Sequence, residues 1–467
     1  MRREIEQEWA EEEFGAAELG DKRLNARLVQ LAGILGEKPQ NSLPDASGEP
    51  ATLKAAYRFF DNDQVTPEGI LQSHIEATYR RMASLKLVLA VQDTTYLDWT
   101  THPDTEGLGP LASVNRQGLL AHSTVGFSQE RVPLGVLQQQ VWARDAETFA
   151  QLKDHKQRAI EDKESHKWLQ SLAAVEAAHK ACPDTLFVSV GDREADIYDL
   201  FMLKRSPGVD LLVRAAENRR VESAERYLWA AVAASPVVAS AEVKVPPRNG
   251  QAGRTAHLEI RWREITLRPP LKRAKEKLPQ VPVWAVWAVE TAPPPDLPAV
   301  EWLLLSTVPV LTTEDALQRL AWYACRWGIE LWHKVLKSGC RIEARQLETA
   351  ERLKRCLTLY AVIAWRVLYA TMLSRAVPGA SCLALLNEPE WQALYCAIHH
   401  TTILPPTPPT LSQAVGWIAQ LGGFQNRKRD GHPGVTVIWK GFQHLSDLTY
   451  MYLVFRPQAP LKDVGND

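Results

Sequence analysis

"LKLVLAVQDTT" at 85–95 and "DTLFVSVGDREAD" at 184–196 decide the fold. Each is an apolar, β-branched run that reads as a buried strand, and each stops at an acid, Asp93 in the first and Asp192 in the second. Strand ends in an α/β sheet face the crevice where ligands bind, so two acids placed this way can converge on one spot. Taken singly, each admits a plainer role: Asp93 as a turn former, Asp192 as the cap of the helix that follows.

Working outward, "HSTVGFSQ" (122–129) and "PLGVLQQQVWAR" (133–144) read as strands, followed by a long helix from about 146 to 181. "READIYDLFMLKR" (193–205) predicts a helix and "VDLLVRAA" (209–216) a strand, so the unit is a three-strand meander followed by two strands separated by helices. That is an α/β core. From about 219 to 310, Pro and Gly clusters, the alternating "HLEIRWREITL" (257–267) and the basic "LRPPLKRAKEK" (267–277) predict a β-rich insertion.

Both flanks are helical. In "LGDKRLNARLVQLAGILGE" (19–37), Leu24, Leu28, Leu31 and Leu35 recur at helical spacing behind Asp21 as N-cap, and "ATLKAAYRFFDND" (51–63) predicts a shorter helix. Arg23, Arg27, Lys54 and Arg58 lie off the apolar stripes, as solvated surface charges commonly do. Helical pattern returns from about 313 to 375, and the prolines of "TTILPPTPPTLS" (401–412) separate a last helical portion ending near 456. The domains expected are 1–66, 67–376 with the insertion inside it, and 377–467.

At 467 residues the chain exceeds what one core usually fills, and its formal charge of −1 favours no class of partner, so any basic face is local. Six cysteines at 182, 325, 340, 356, 382 and 396 include no C-x-x-C pair, which argues against zinc fingers and a disulfide framework and for a reducing cytosol. The first residues, "MRREIEQEWAEEEF", lack the apolar run of a secretory signal. "LTLYAVIAWRVLYATML" (357–373) is short of the roughly 20 residues of a membrane span and contains Arg366, so a buried helix and no membrane association are expected.

A third stretch, "YACRWGIELWHKVLKSG" (323–339), mixes charge into an apolar run. At about 100° per residue, Tyr323, Arg326, Glu330 and Lys337 fall within about 60° of one another, with Lys334 beside them. Trp327, Ile329, Leu331, Trp332, Val335 and Leu336 cover most of the rest, so the polar stripe is expected to face a cleft. Helix ion pairs worth a few tenths of a kcal/mol are the simpler explanation of the stripe taken alone. Three carboxylates in one cleft raise one another's pKa and persist chiefly where a cation neutralises them. Oxygen-only ligation suits Mg²⁺ or Mn²⁺, and two such ions about 3.5 to 4 Å apart serve phosphodiester chemistry.

Asp93, Asp192 and Glu330, with Tyr323, Arg326 and Lys337 at Y-x2-R-x3-E-x6-K spacing, resemble the DDE and YREK signatures of bacterial cut-and-paste transposases of the insertion-sequence-four group. "LGDKRLNARL", "AYRFFDN", "QDTTYL", "DKESHKWL", "DREADIYDLF", "EWLLLS" and "LGGFQNRKRDG" are similar to that group's segments in the same order. The resemblance implies an RNase H-like catalytic core with a β-rich insertion, an N-terminal helical DNA-binding domain and a C-terminal helical dimerisation domain. It implies two metal ions per site held by Asp93, Asp192 and Glu330, double-stranded DNA as substrate, a homodimer, and cleavage through a hairpin before strand transfer. Tyr323, Arg326 and Lys337 would clamp phosphates, Trp302 would stack an extruded base unless it is a core strand residue, and Arg214 and Lys334 match further DNA contacts. Arg23, Arg27, Lys54 and Arg58 would recognise the element ends, while the acidic first helix (Glu4, Glu6, Glu8, Glu11, Glu12, Glu13) would face away from DNA. An RNase H-fold nuclease and a non-catalytic end-binding inhibitor are the alternatives. Trp302 and the YREK stripe speak against the first, and three intact carboxylates against the second.

Overall fold

The computed structural model describes residues 8–150, 164–245, 253–295, 297–427 and 429–455. They fall into two compact units, one from Thr78–Tyr96 and Gly109–Glu330, the other from the described parts of Met1–Ala77, Leu97–Leu108 and Leu331–Asp467.

The first unit is built on one sheet. Its strands are β1 (Leu87–Asp98), β2 (Gly109–Pro110), β3 (Gln117–Phe127), β4 (Pro133–Trp142), β5 (Leu186–Gly191), β6 (Val209–Arg214), β7 (Ala239–Val245), β8 (Arg254–Leu267), β9 (Val281–Glu290) and β10 (Glu301–Ser306). They lie in the order β2-β3-β1-β5-β6-β10-β9-β8-β7, with β4 on β3. β1, β5 and β6 are parallel neighbours at the centre, and apart from Leu186 at the start of β5 their Val, Leu and Phe side chains are buried, as in a sheet covered on both faces. The β-rich insertion is real, yet it is not a separate sheet: β10 pairs antiparallel with β6 and β9, and so splices β7–β9 onto the core. In β8 the expected alternation buries Ala256, Leu258 and Ile260 while Thr255 and His257 are left exposed or nearly so.

One helical expectation in this unit is described only in part, and another needs correction. Of the long helix at 146–181, the described residues show Ala146–Ala150 and His166–Ala181, and 151–163 lie outside the described residues. The 193–205 helix is replaced by a 3₁₀ turn, Arg193–Ala195, and a short helix, Tyr198–Met202. The reason is Asp196. Its side chain is fully buried, accepts hydrogen bonds from the backbone N–H of Ala216 and Glu217 at 2.8 and 2.9 Å, and pairs with Arg219, so the chain is pulled out of the helix and Ile197 is extended.

The second unit is helical. Lys22–Glu37 begins where expected, with Asp21 accepting from Arg23 N–H at 2.8 Å, and its Leu28, Leu31 and Leu35 are fully buried. Pro50–Asp61 follows, and the later helices are Ala350–Ala376, Glu388–His399, Leu411–Leu421 and Val435–Phe455. The 27-residue Ala350–Ala376 helix exceeds the stretch read from sequence and has the length and apolarity of a membrane span, but 78% of its most apolar window is buried inside the protein. Arg366 sits on it with its guanidinium 4.7 Å from the Trp9 ring and 5.4 Å from that of Phe442, which is how a cation is accommodated there.

The buried Asp196–Arg219 pair sets the chain path directly after Asp192. Asp196→Ala removes the carboxylate that Arg219 and two backbone N–H groups share, leaving Arg219 its bond to the 196 carbonyl, and should lower unfolding free energy by about 1–3 kcal/mol in chemical denaturation. A loss under about 0.5 kcal/mol would show that the turn holds without it.

Candidate active site

The last paired residues of β1 and β5 are Val91 and Val190, so Asp93 and Asp192, each two residues further on, stand level at the ends of neighbouring parallel strands. Such strands are about 4.8 Å apart. Gln92 Nε2 donates to Ser189 Oγ at 2.7 Å, tying the two strands just before the acids. β5 ends at Gly191, and Asp192 does act as a cap, its Oδ1 accepting from Glu194 N–H at 2.8 Å. β1 differs from expectation because it runs on to Asp98: "TTYL" keeps the chain extended, so the pairing with β5 ends before Asp93, while the strand does not.

The segment carrying the third acid is not the single helix that the sequence suggested. Helix Thr313–Ala324 tightens into 3₁₀-type bonds, Arg326 N–H to Tyr323 O at 3.0 Å and Gly328 N–H to Cys325 O at 2.8 Å, before helix Trp327–Lys334 begins. It then widens into a π turn, Val335–Gly339, closed by Cys340 N–H to Val335 O at 2.7 Å. The 100° stripe is therefore assembled from two helices, a tight corner and a π turn. Ile329, Trp332, Val335 and Leu336 are fully buried, but Trp327 and Leu331 are 41% and 37% exposed, which narrows the apolar arc. Gly328 allows the close approach: a Cβ there would lie 2.6 Å from the Phe127 ring of β3.

Within the first unit, Arg326 is the focus. It forms an ion pair with Glu330, and its Nη1 is 3.8 Å from Asp93 Oδ2. Burial pushes Asp93 up to about 6, Arg326 opposes that, and the charges of Asp192 and Glu330 reinforce it. Asp192 is also raised by burial, with the Glu194 N–H, Arg326 and Lys167 working the other way. For Arg326 burial disfavours the charge, yet Tyr323, Glu330, Asp93 and Asp192 outweigh it and raise the pKa. The three acids thus share one electrostatic neighbourhood. Their oxygen-only donor set suits a hard divalent cation. Among the described residues, however, no three acidic, His or Cys side chains stand together as a ready metal site, and Glu330 is turned to Arg326.

Trp302 lies on β10, half-buried, with its ring centroid 5.6 Å from Tyr323 and 5.9 Å from Trp327, both edge to face. Tyr323 is buried, 4% exposed, and Arg214 at the end of β6 donates to Glu301 O at 2.8 Å beside Trp302. Lys334 and Lys337 belong to the second unit, Lys334 exposed and Lys337 with its Nζ 3.7 Å from Glu343. In that unit Lys54 and Arg58 line one groove with Tyr57, Asp61 and Arg352, whereas Arg23 is exposed at its helix start and Arg27 donates to Gln30 at 2.8 Å. Glu13 of the acidic first helix is buried against His74 at 2.5 Å; Glu4 and Glu6 lie outside the described residues.

Sequence reading passed over Lys167, inside the quoted "DKESHKWL". It is 8% exposed, with its Nζ 3.1 Å from Glu194 Oε2, so it anchors the residue whose N–H holds Asp192. Tyr57 and Arg352 were also missed. Tyr57 had a signal: Lys54, Tyr57, Arg58 and Asp61 fall at i, i+3, i+4 and i+7 on one helix face.

Three family models match the chain in sequence: a transposase DNA-binding model over 6–65, a transposase DDE domain over 151–365 and the transposase Tn5 dimerisation domain over 362–451. The DDE match includes Asp192 and Glu330 and begins after Asp93. With this domain order, an α/β core between two helical parts and the acids on its central strands, the chain belongs to the Tn5-like DDE transposases. It is a DNA-cleaving transposase with DNA and a second copy of itself as partners, and its family uses divalent metal ions.

Asp93 gives the site a pH signature. Folded, it holds its proton up to about 6; unfolded, it releases it near 3.8. The stability contributed by that proton is complete below 3.8 and lost as pH rises through about 6. In chelator, Asp93→Asn should match the parent near about pH 4 and exceed it by about 2–3 kcal/mol at about pH 7, read from urea unfolding. A gap that does not grow with pH would contradict the placement.

Proposed function

We propose that this chain cuts both strands at the ends of a mobile DNA element through a hairpin intermediate and joins the freed 3′ ends to target DNA, with Asp93, Asp192 and Glu330 as the ligands of two Mg²⁺ or Mn²⁺ ions. The observation that carries this reading is the level placement of Asp93 and Asp192 on adjacent parallel strands, with Glu330 in the same electrostatic neighbourhood. When bound, the ions supply activation of the attacking oxygen and stabilisation of the leaving one. Water attacks one strand, the 3′-hydroxyl attacks the opposite strand to close a hairpin, water reopens it, and the same hydroxyl attacks the target. Each step is an in-line substitution at phosphorus, so one site serves all four if the DNA is repositioned between them.

The residues around the acids take roles suited to their chemistry. Arg326 offers a fork matched to phosphate oxygens, and Tyr323 and Arg214 of the same unit extend that clamp, while Lys334 and Lys337 are assigned DNA contacts within their own unit. Trp302 presents a half-exposed indole beside Tyr323 and Trp327, a face on which an unpaired base can stack. Arg23, Arg27, Lys54 and Arg58 serve end recognition, for which the groove formed by Lys54, Tyr57 and Arg58 is support. We assign end binding to 1–66, catalysis to 67–376 and dimerisation to 377–467, acting on DNA in the cytoplasm.

On DNA carrying the element's own terminal repeats, Asp93→Asn, Asp192→Asn and Glu330→Gln should each reduce cleavage by about 10³-fold or more while gel-shift binding persists. A variant cutting at the parental rate removes that residue from the site. Trp302→Ala should slow hairpin closure more than the first nick in a time course of end-labelled DNA; equal slowing would reduce it to a packing residue.

A further inference from the structure

We propose that Arg326 is the internal counterion of the metal-free chain, and that Asp93, Asp192 and Glu330 hold a divalent cation only after this guanidinium has released Glu330. The proposal rests on the reading of these three acids as metal ligands.

Three like charges in one neighbourhood, with Asp93 and Asp192 raised by burial, favour a cation beside them, and Arg326 is one that the protein supplies. Arg326 is largely buried, with 15% of its side chain exposed; it is paired with Glu330 and 3.8 Å from Asp93. No group of three ligating side chains is assembled among the described residues. An exposed i, i+4 ion pair on a helix would be worth only a few tenths of a kcal/mol and would hinder nothing. This pair differs because the same guanidinium also faces the carboxylates on the strand ends, so a cation approaching them meets a fixed positive charge and finds one ligand engaged.

The lock can open without unfolding anything. Glu330 is 51% exposed, so its side chain can change rotamer without repacking a core, and Arg326 sits at the 3₁₀ corner between two helices. A DNA phosphate is the natural competitor, since guanidinium binds phosphate through two parallel hydrogen bonds and so keeps a negatively charged partner when it leaves Glu330. Arrival of the phosphodiester then draws Arg326 off, frees Glu330 and opens the site to metal. The order of assembly is DNA first and ions second.

The test needs neither DNA nor activity. Mn²⁺ binding to the full DNA-free chain is followed through the paramagnetic resonance signal of the unbound ion, for the parent, Arg326→Gln and Arg326→Met, with circular dichroism to establish the fold. Both neutral variants should bind Mn²⁺ about tenfold or more tightly than the parent. Adding Glu330→Gln should erase the gain. Unchanged or weaker affinity in folded Arg326→Gln and Arg326→Met overturns the counterion role while leaving the carboxylates as ligands. If Asp93→Asn placed in the Arg326→Gln background still binds Mn²⁺ as tightly, the ligand reading falls and the counterion falls with it.

Discussion

Like charges brought together inside a protein must be neutralised, and everything about this chain's central sheet is arranged around that constraint. Asp93 and Asp192 each follow by two residues the last paired positions of adjacent parallel strands, Val91 and Val190, so the register of those strands holds them level with each other. Burial and mutual repulsion push Asp93 up to about 6, so the site stores unfavourable electrostatic energy that one arginine only partly relieves. Such an arrangement is poor as a stability device and well suited to one that takes up cations and phosphates.

Several features with no chemistry of their own keep the acids in place. The Asp196–Arg219 pair ends the turn after Asp192, Lys167 holds Glu194 within it, and Gly328 lets the Glu330 helix lie against Phe127. β10 contributes twice: it joins the insertion strands to β6, and it carries Trp302 to a position beside Tyr323. The insertion is thus part of the sheet that bears the site.

The strands were legible because "LVLAV" and "LFVSVG" are dense in apolar and β-branched residues, and the first long helix was legible because Asp21 and its leucines agree on one start and one face. Asp93 and Asp192 were legible as a pair for the same reason, since polar residues interrupt otherwise apolar runs. The corner at Arg326 was not. A 3₁₀ contraction and a π expansion within 17 residues leave no trace in composition, so uniform helical spacing put Tyr323 and Lys337 on a stripe that no single helix carries. The break at Asp196 was equally hidden, because its cause lies in the backbone of Ala216 and Glu217, some twenty residues away in sequence. Long-range satisfaction of a buried carboxylate overrides local helix propensity.

The most direct test is to locate the bound ion chemically. Fe²⁺ substituted for Mg²⁺ in the complex of the chain with its element-end DNA, then treated with ascorbate and peroxide, cleaves the polypeptide backbone where the ion sits. The account predicts cuts at three places only, next to Asp93, Asp192 and Glu330, all suppressed by excess Mg²⁺. Cuts confined to other segments would mean that these acids do not share an ion, and the reading of the site would be wrong.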